Sequence, residues 1–458
     1  MITVLSISSI VSEIAGALWG WPMVILLLGT HIFLTIRLKF PQRKIFKAIK
    51  LSFTKDENST GDVSQFAALA TSLAATIGTG NIIGVATAIS LGGPGAVFWC
   101  WLTGVFGIAT KYSEGLLAVK YRVKTEDGTM LGGPMYALER GLKSKWLAVL
   151  FCIFTVCASF GIGNMVQANS ISMMMEKTMH LSPQVSGLIM SVLVALVILF
   201  GVKGIAKVCS FLVPFMALFY IIGCFIILGI NFEYLGESLR LIIHSAFNPM
   251  AAGGGFAGAT VMAACRFGIS RGLFSNESGL GSAPIVAAAA QTRNPVRQAL
   301  VSSTGTFWDT VVVCAITGLV LVSSVVAPNG IDGSHGAGLT EAAFSVIPVF
   351  GPLVMSVGLL TFAFSTILGW SYYGERCMEY LGGKKVIKFY RLVWIVAVYI
   401  GAVVNLQLVW DFADMMNALM ALPNLIVLLA LSGVIARESK KYLSGNHIDD
   451  YATDDDLE

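Results

Sequence analysis

Charged residues are scarce in this chain of 458 residues: Lys, Arg, Asp and Glu make up 12% of it, whereas hydrophobic residues make up 56%. In an ordinary soluble domain roughly a quarter of the residues are charged. The polar residues here are too few to cover so much apolar material in water. The composition therefore excludes an ordinary soluble domain and indicates a protein embedded in a lipid bilayer.

Clustered metal, redox and catalytic groups are also missing. The eight cysteines lie singly inside apolar stretches without a C-x-x-C pair, and the five histidines are scattered along the chain. Because a metal site needs several converging donors, we expect no metal cofactor. No serine–histidine–aspartate set or pair of carboxylates is recognisable, so we expect no catalytic residue and no enzymatic activity.

A secretory signal and a nucleic-acid-binding surface are not recognisable either. The first twelve residues, MITVLSISSIVS, lack the basic region of a signal peptide. The net charge of +4 is modest, and the basic residues fall on one side of the predicted membrane. Nucleic acid is therefore not an expected partner.

Long apolar runs dominate the chain instead. Eleven of them approach the length of about 20 residues that a helix needs to cross the hydrocarbon core. They lie near residues 15–37, 65–92, 94–119, 146–175, 182–202, 208–230, 248–290, 297–326, 343–375, 391–408 and 411–436. Since backbone groups in lipid must bond to one another, we predict an all-α polytopic membrane protein with about 11 transmembrane helices.

Lysine and arginine mark alternate connections between these spans. They follow every odd-numbered span: Lys39, Arg43, Lys44, Lys47, Lys50, Lys120, Arg122, Lys124, Arg140, Lys143, Lys203, Lys207, Arg293, Arg297, Lys384, Lys385, Lys388, Arg391, Arg437, Lys440 and Lys441. Because basic connections stay in the cytoplasm, we expect a cell-membrane protein with its N-terminus outside and its C-terminus inside. The acidic end of the tail, DDYATDDDLE at residues 449–458, is expected to be solvated and disordered.

Two spans contain residues that interrupt a membrane helix. Span two holds Gly78, Thr79, Gly80 and Asn81 at its middle, and a glycine in a helix interior costs about 1 kcal/mol relative to alanine. Span seven holds a polar run at residues 275–278, flanked by glycines. Unwound backbone at this depth is tolerated only where protein or water surrounds it. Both spans are therefore predicted to break beside a cavity.

Span seven also carries three ionisable residues, Arg266, Arg271 and Glu277. Such groups are costly inside a membrane unless they are paired or hydrated, so each is a functional candidate. Two alternatives are open. The segment is a re-entrant loop or its charges lie at the membrane interface, or the arginines pair with Glu277 or Glu114 as scaffold.

The positions of the two breaks divide the chain. We predict an extra N-terminal helix with a basic loop (1–60), a transporter core (61–436) and the acidic tail (437–458). The core consists of two halves, about 64–231 and 248–436, and each begins with a broken helix. The halves run in opposite directions through the membrane, as an inverted repeat requires, which indicates a secondary transporter with its site at the repeat interface. A channel would need rings of charge or a carbonyl filter, which are not recognisable here.

Four runs carry a resemblance to a known family: ATIGTGNIIGVATAISLGGPGAVFWCW, KYSEG, GGPMYALERGL and RFGISRGLFSNESGLGSAPIVAAAA. The chain resembles the alanine or glycine:cation symporter family over about residues 60–436. The resemblance implies the ten-helix inverted-repeat fold of the bacterial leucine transporter with an added N-terminal helix. It also implies uptake of alanine, glycine or similar small amino acids with sodium as the coupling ion. Proton coupling through Glu277 or Glu114 is the alternative, and we expect a monomer in the bilayer.

An amino acid presents a carboxylate and an ammonium, and a broken helix exposes donors for the first and acceptors for the second. We expect the amides of Thr79 and Gly80 to bind the carboxylate at the start of the outer half of span two. Carbonyls near Gly78 and the amide oxygen of Gln167 are expected to bind the ammonium. The alternative for Gln167 is a hydrogen bond between helices.

Four further side chains are expected to line the pocket, where the ring of Phe274 would limit the size of the substrate side chain. Phe274 and Ser275 lie at the predicted break of span seven, and Thr366 and Trp370 lie one turn apart on one face of span nine. They would close the pocket over a methyl-sized side chain. Plain core packing is the alternative for Phe274.

The resemblance in fold further implies a cation site between spans nine and two. Sodium prefers hard oxygen ligands. The hydroxyls of Ser365 and Thr366 and the carbonyls of Ala74 and Ile77 are the expected ligands. The alternative is that the two hydroxyls bond only to the backbone of their own helix.

Overall fold

A computed structural model describes residues 2–56, 59–250, 256, 259–328, 330–404, 407–444 and 447–452. Its regular structure is almost entirely helical, as expected of apolar segments whose backbone groups have no water to bond. The described strands form one short antiparallel pair, β1 (Val123–Lys124) and β2 (Met130–Leu131), with Val123 opposite Leu131.

The N-terminal region and the first half contain twelve helices. They are α1 (Ile2–Leu18), α2 (Trp21–Arg37), α3 (Ile45–Ser52), α4 (Gln65–Thr76), α5 (Val85–Gly92), α6 (Gly95–Lys120), α7 (Pro134–Tyr136), α8 (Lys145–Ala158), α9 (Val166–Met179), α10 (Pro183–Ile198), α11 (Gly201–Ile230) and α12 (Leu235–Phe247). The amphipathic helices α3 and α12 lie between the predicted spans. Lys203 and Lys207, expected in a connection, lie in the first turns of α11.

The second half and the tail contain the remaining described helices. They are α13 (Val261–Asn276), α14 (Pro284–Ala287), α15 (Pro295–Thr306), α16 (Ala315–Val326), α17 (Leu339–Phe344), α18 (Phe350–Gly382), α19 (Ile387–Val403), α20 (Gln407–Ala430) and α21 (Ser432–Leu443). The predicted boundary between core and tail, after residue 436, falls inside α21.

Several of these helices are long enough to cross a bilayer. Among the described residues, seven helical stretches pass a test of length and apolarity, and the pair Gln65–Thr76 and Gly80–Gly92 adds an eighth if it counts as one bent span. The seven are Ser9–Arg37, Lys145–Met179, Gly201–Ile230, Pro295–Val326, Phe350–Gly382, Lys384–Val403 and Leu408–Ala430. The all-α polytopic architecture is therefore confirmed, and the count of eleven stays a prediction.

Helix α6 lies at the centre of the fold, where it packs along α13 and α15. Small residues allow these helices to approach closely. A Cβ atom at Gly268 of α13 would lie 2.3 Å from the carbonyl oxygen of Ala96, and one at Gly115 of α6 would lie 2.9 Å from the side chain of Ser302. Close packing of small residues is the usual basis of helix association in membranes.

Besides the π-helical segment Ala137–Gly141, three π-helical segments interrupt the core helices. They lie at Gly80–Gly84 before α5, at Ser159–Met165 between α8 and α9, and at Phe307–Cys314 between α15 and α16. Single π-helical turns inside α-helices are frequent at functional sites. The segments Gly80–Gly84 and Phe307–Cys314 contact each other.

The expectation of a solvated, disordered tail is wrong for residues 449–452. Asn294 donates from Nδ2 to the carbonyls of Ile448 and Asp450, each at 2.9 Å, and Asp449 forms an ion pair with Arg297. Ile448 is buried. The acidic composition favours solvent, but these residues meet cationic and amide side chains at the start of α15. Residues 453–458 lie outside the described residues.

Candidate substrate and cation site

Span two is broken where its glycines predict. Helix α4 ends at Thr76, and the segment Gly80–Gly92 continues at an angle of 52° to it. In a continuous helix the amide of Gly78 would bond to the carbonyl of Ala74, but it donates instead to Asn81 Oδ1 at 2.9 Å. The break thus frees the Ala74 carbonyl. It also leaves Thr79 and Gly80 at the start of a new helical segment, whose first amides have no partner within it.

Span seven is broken a few residues later than predicted. Helix α13 continues through Ser275 to Asn276, and Glu277 then adopts the left-handed region at φ 53°. Gly279 and Gly281 follow at φ 92° and 88°, values that favour glycine. Phe274 and Ser275 therefore lie in the last turn of α13 and not at the break itself, because the turn is made by the two glycines and Glu277.

A single carboxylate connects the two broken helices. Asp309, in the π-helical turn after α15, accepts hydrogen bonds from Asn81 Nδ2 at 2.8 Å and from Ser275 Oγ at 2.9 Å. Its neighbour Thr310 donates a further bond at 2.6 Å. Asp309 is completely buried. It therefore fixes the outer half of span two against the end of α13.

One buried cavity of about 20 Å³ lies between the breaks. All eight residues that the sequence suggests for substrate binding line it. The full lining is Ala75, Thr76, Gly78, Thr79, Gly80, Ile162, Gln167, Phe274, Ser275, Glu277, Thr366, Trp370 and Asn417. The structure thus brings the suggested residues together, and their role in binding stays a prediction.

Two buried amide oxygens beside this cavity have no hydrogen-bond partner. They belong to Gln167 and Asn417. Gln167 uses its Nε2 group to donate to the carbonyl of Ile162 at 3.0 Å and, weakly, to Thr79 Oγ1 at 3.5 Å. Its donor side therefore joins neighbouring backbone and side chain, as the alternative suggested. Its oxygen has no partner and is therefore available as an acceptor. Because an unbonded buried acceptor costs free energy, a donor group placed there would be favoured.

The candidate cation site lies where α18 crosses the end of α4. The hydroxyls of Ser365 and Thr366 both reach the carbonyl of Ala74 at 3.2 Å, and both also donate to the carbonyl of Phe362 at 2.9 Å. The two hydroxyls therefore bond across the helix interface as well as within their own helix. Ile77, the fourth predicted ligand residue, is buried at the end of α4.

The sequence did not assign further residues of this region to the site, among them Glu277, Asn417 and Phe362. Glu277 was noted as an ionisable residue, and the structure places it in the cavity wall. Asn417 could have been found as an amide inside the apolar span eleven. Phe362 contributes only its carbonyl oxygen, and a backbone group gives no signal in the sequence.

A cavity between two broken membrane helices defines the class of secondary transporters that bind their solute within the bilayer. The crystal structure of MhsT in complex with L-phenylalanine matches this fold with a TM-score of 0.59 at 15% identity, covering 83% of this chain and 93% of that one. The transporter fold implied by the resemblance is thereby confirmed.

The sequence comparisons identify the family. Residues 4–453 match the model of the sodium:alanine symporter family. An uncharacterised transporter of Haemophilus influenzae is 52% identical over 98% of this chain and 99% of its own length. The sodium/alanine symporter AgcS of Methanococcus maripaludis is 51% identical over 95% of this chain and 97% of its own length. The chain belongs to the sodium:alanine symporter family. It is therefore a multi-pass membrane transporter coupled to sodium, and not an enzyme.

Proposed function

We propose that this chain takes up alanine and glycine together with Na⁺ by alternating access, and that it binds them in the cavity between the two helix breaks. The observation that carries the proposal is the convergence of eight independently suggested residues on one buried cavity. The relative AgcS is named as a sodium/alanine symporter, which supports alanine as a substrate.

The size of the cavity supports the smallest amino acids. A space of about 20 Å³ accommodates little more than one water-sized probe, so any solute enters only when the wall moves. Trp370 restricts the space further, because its side chain lies against Gly163, where a Cβ atom would be only 2.3 Å from Trp370 Cβ. Glycine and alanine require the least displacement of this wall.

The polar groups around the cavity suit a zwitterion. The first amides of the segment after the break in span two face a carboxylate favourably, with the helix dipole in support. The free oxygens of Gln167 and Asn417 suit an ammonium. The carboxyl group of Glu277, which accepts a hydrogen bond from Ser282 Oγ, lines the same cavity and offers further oxygen acceptors.

We propose that the chain is closed on the side of the basic connections by hydrogen bonds between its two halves. The backbone amide of Gln291 donates to the carbonyl of Val63 at 2.8 Å, and the backbone amide of Asp62 donates to the carbonyl of Ala289 at 2.8 Å. Arg122 donates to the carbonyls of Ala288 and Ala290 and, on the other side, to Thr60. Burial lowers the pKa of Arg122 to about 10, which leaves it charged at neutral pH. We propose that these bonds separate and re-form during transport.

Contacts among the connections support the proposed orientation. Three ion pairs join connections of the basic phase. Asp56–Arg293 joins the connections after spans one and seven, and Asp127–Lys384 joins those after spans three and nine. Arg297–Asp449 joins the connection after span seven to the tail. A hydrogen bond of 2.8 Å from Ser90 Oγ to the carbonyl of Gly333 joins the end of α5 to a connection of the opposite phase. If the basic face is cytoplasmic, the N-terminus lies outside and the C-terminus inside. We propose a monomer as the working unit.

The driving force is adequate for accumulation. One positive charge entering at about 100 mV gains roughly 2.3 kcal/mol, and a tenfold sodium gradient adds about 1.4 kcal/mol. Together they support accumulation of roughly several hundred-fold per cation.

Uptake of labelled alanine into proteoliposomes tests the proposal. We expect uptake with an inward Na⁺ gradient, competition by unlabelled glycine, and no uptake when K⁺ replaces Na⁺. The position of Glu277 favours proton coupling as the second candidate. Uptake driven by an inward proton gradient without Na⁺ would select that candidate, and absence of uptake under every gradient would reject both.

A further inference from the structure

The break in span seven is stabilised from outside by the side chain of Glu114 on α6. Its Oε1 atom accepts hydrogen bonds from the backbone amides of Gly279 at 3.0 Å and Gly281 at 3.1 Å. A third bond to the same oxygen comes from Asn424 Nδ2 of α20 at 2.8 Å. The Glu114 side chain is completely buried. One oxygen atom therefore holds two amides that the unwound backbone cannot satisfy itself.

Asn424 completes this arrangement. The same Nδ2 group that donates to Glu114 also donates to the carbonyl of Gly279 at 2.9 Å. Both the amide and the carbonyl of Gly279 are thus bonded to side chains from neighbouring spans. Two glycines in left-handed conformations direct their amides to one point, which is a typical backbone site for an anion. Glu114 supplies that anion from within the protein.

The second oxygen of Glu114 has a different environment. Oε2 has no hydrogen-bond partner, and the nearest cation is Lys111 Nζ at 4.0 Å. Lys111 is itself buried and its ammonium forms no hydrogen bond. Oε1 therefore fixes the position of the two glycine amides, whereas Oε2 interacts with the charge of Lys111 at a longer distance. The two contributions can be separated by substitution.

The other break is supported in a related way. There Asn81 binds the freed amide of Gly78 and is held in turn by Asp309. Asp309 lies in the second span of the second half, whereas Glu114 lies in the second span of the first half. Each half thus provides a buried carboxylate that supports the broken helix of the other half.

We propose that Glu114 is a positioning residue for substrate binding: by holding the amides of Gly279 and Gly281 it fixes the segment 277–283, and with it the end of α13 that carries Phe274 and Ser275 to the cavity. The transport part of this inference rests on the proposed function, whereas the conformational part does not. Glu114 itself is absent from the cavity wall, so it acts through the segment that it holds.

Two substitutions separate position from charge. Glu114→Gln keeps the length of the side chain and an oxygen that accepts the three bonds, but removes the charge. Glu114→Asp keeps the charge but withdraws the oxygen by about 1.5 Å, one carbon–carbon bond. The matched control is Glu438→Asp, since Glu438 is also buried and paired, with Lys120 at 3.2 Å, but on α21 away from the cavity.

The experiment combines two measurements on purified protein. Hydrogen–deuterium exchange of the peptide that contains residues 277–283 reports the segment directly and needs no substrate. In Glu114→Asp we expect this exchange to accelerate and the KM for alanine in proteoliposomes to rise, each roughly 10- to 100-fold, the factor for losing a hydrogen bond to a charged group. Glu438→Asp should keep both values close to those of the wild type. Glu114→Gln should change both values less than Glu114→Asp does, because its neutral oxygen accepts the same bonds more weakly. Binding of labelled Na⁺ without alanine should be unchanged in all variants.

Impairment of Glu114→Gln equal to or greater than that of Glu114→Asp would overturn the proposal, because Glu114→Asp keeps the charge and loses the position, and unchanged exchange in Glu114→Asp would overturn it outright. If Glu114→Asp does not fold, Asn424→Ala replaces it, because that change removes one bond to Glu114 and one to Gly279. Faster exchange there supports the proposal, and unchanged exchange contradicts it. Failure of the wild type to take up alanine would reject the proposed function, while the exchange result would still decide this inference.

Discussion

Ser365 offers the most selective test of the cation site. Its hydroxyl lies 3.2 Å from the carbonyl of Ala74 and 2.9 Å from that of Phe362, and the residue is absent from the cavity wall. Ser365→Ala removes one oxygen without altering the contacts of the substrate. A bond to a charged partner contributes about 1.5–3 kcal/mol, so we expect the Na⁺ concentration for half-maximal uptake to rise about tenfold or more.

The assay is initial alanine uptake in proteoliposomes as a function of Na⁺ concentration. Ser365→Ala combined with Thr366→Val should raise the half-saturating Na⁺ concentration further, to about 100-fold if the two effects add. Thr361→Val is the matched control. It lies on the same helix, but its hydroxyl donates to Val357 and Gly358 of that helix. An unchanged Na⁺ requirement in Ser365→Ala, or an equal change in Thr361→Val, would refute the assignment.

Three other changes test separate parts of the structure. Trp370→Ala should admit larger amino acids, measured as inhibition of alanine uptake by leucine; unaltered selectivity would argue against a role in the wall. Arg122→Ala loses the bonds between Thr60 and the segment after the second break. Thiol reagents added on the basic side should therefore label a cysteine introduced at position 76 faster. An unchanged labelling rate would contradict the proposed closure of that side. Asn294→Ala should expose residues 447–452 to proteolysis and cost about 1 kcal/mol as a lost helix cap. Ser64→Ala, which removes the cap of α4 only, should not expose them.

The breaks could be predicted from the sequence because their cause is local. Glycine and asparagine in the middle of a membrane span weaken a helix whatever surrounds it. Local composition does not determine the residue at which the helix ends. In span seven the polar residue Ser275 continues the helix, since Asp309 accepts its hydroxyl bond, and the turn occurs at Glu277, Gly279 and Gly281.

The rest of the site depends on contacts between distant spans. Asn424 donates a hydrogen bond to Glu114, which lies 310 positions earlier in the sequence. The Phe362 carbonyl is a backbone group like every other carbonyl, so the sequence does not mark it. The docked tail shows the same limit. Its acidic composition favours solvent, but Asp449 forms an ion pair with Arg297 because folding brings the two residues to the same face of the protein. Hydrophobic periodicity and composition specify spans and not the partners of their polar residues.

The central claim is that alanine and Na⁺ bind where the two membrane helices are unwound. The most direct measurement is an experimental density map of the protein with both bound. The account predicts the alanine carboxylate at the amides of Thr79 and Gly80, its ammonium near Gln167, and Na⁺ between Ala74 and Ser365. Alanine bound elsewhere, or continuous helices through residues 76–80 and 276–284, would contradict it.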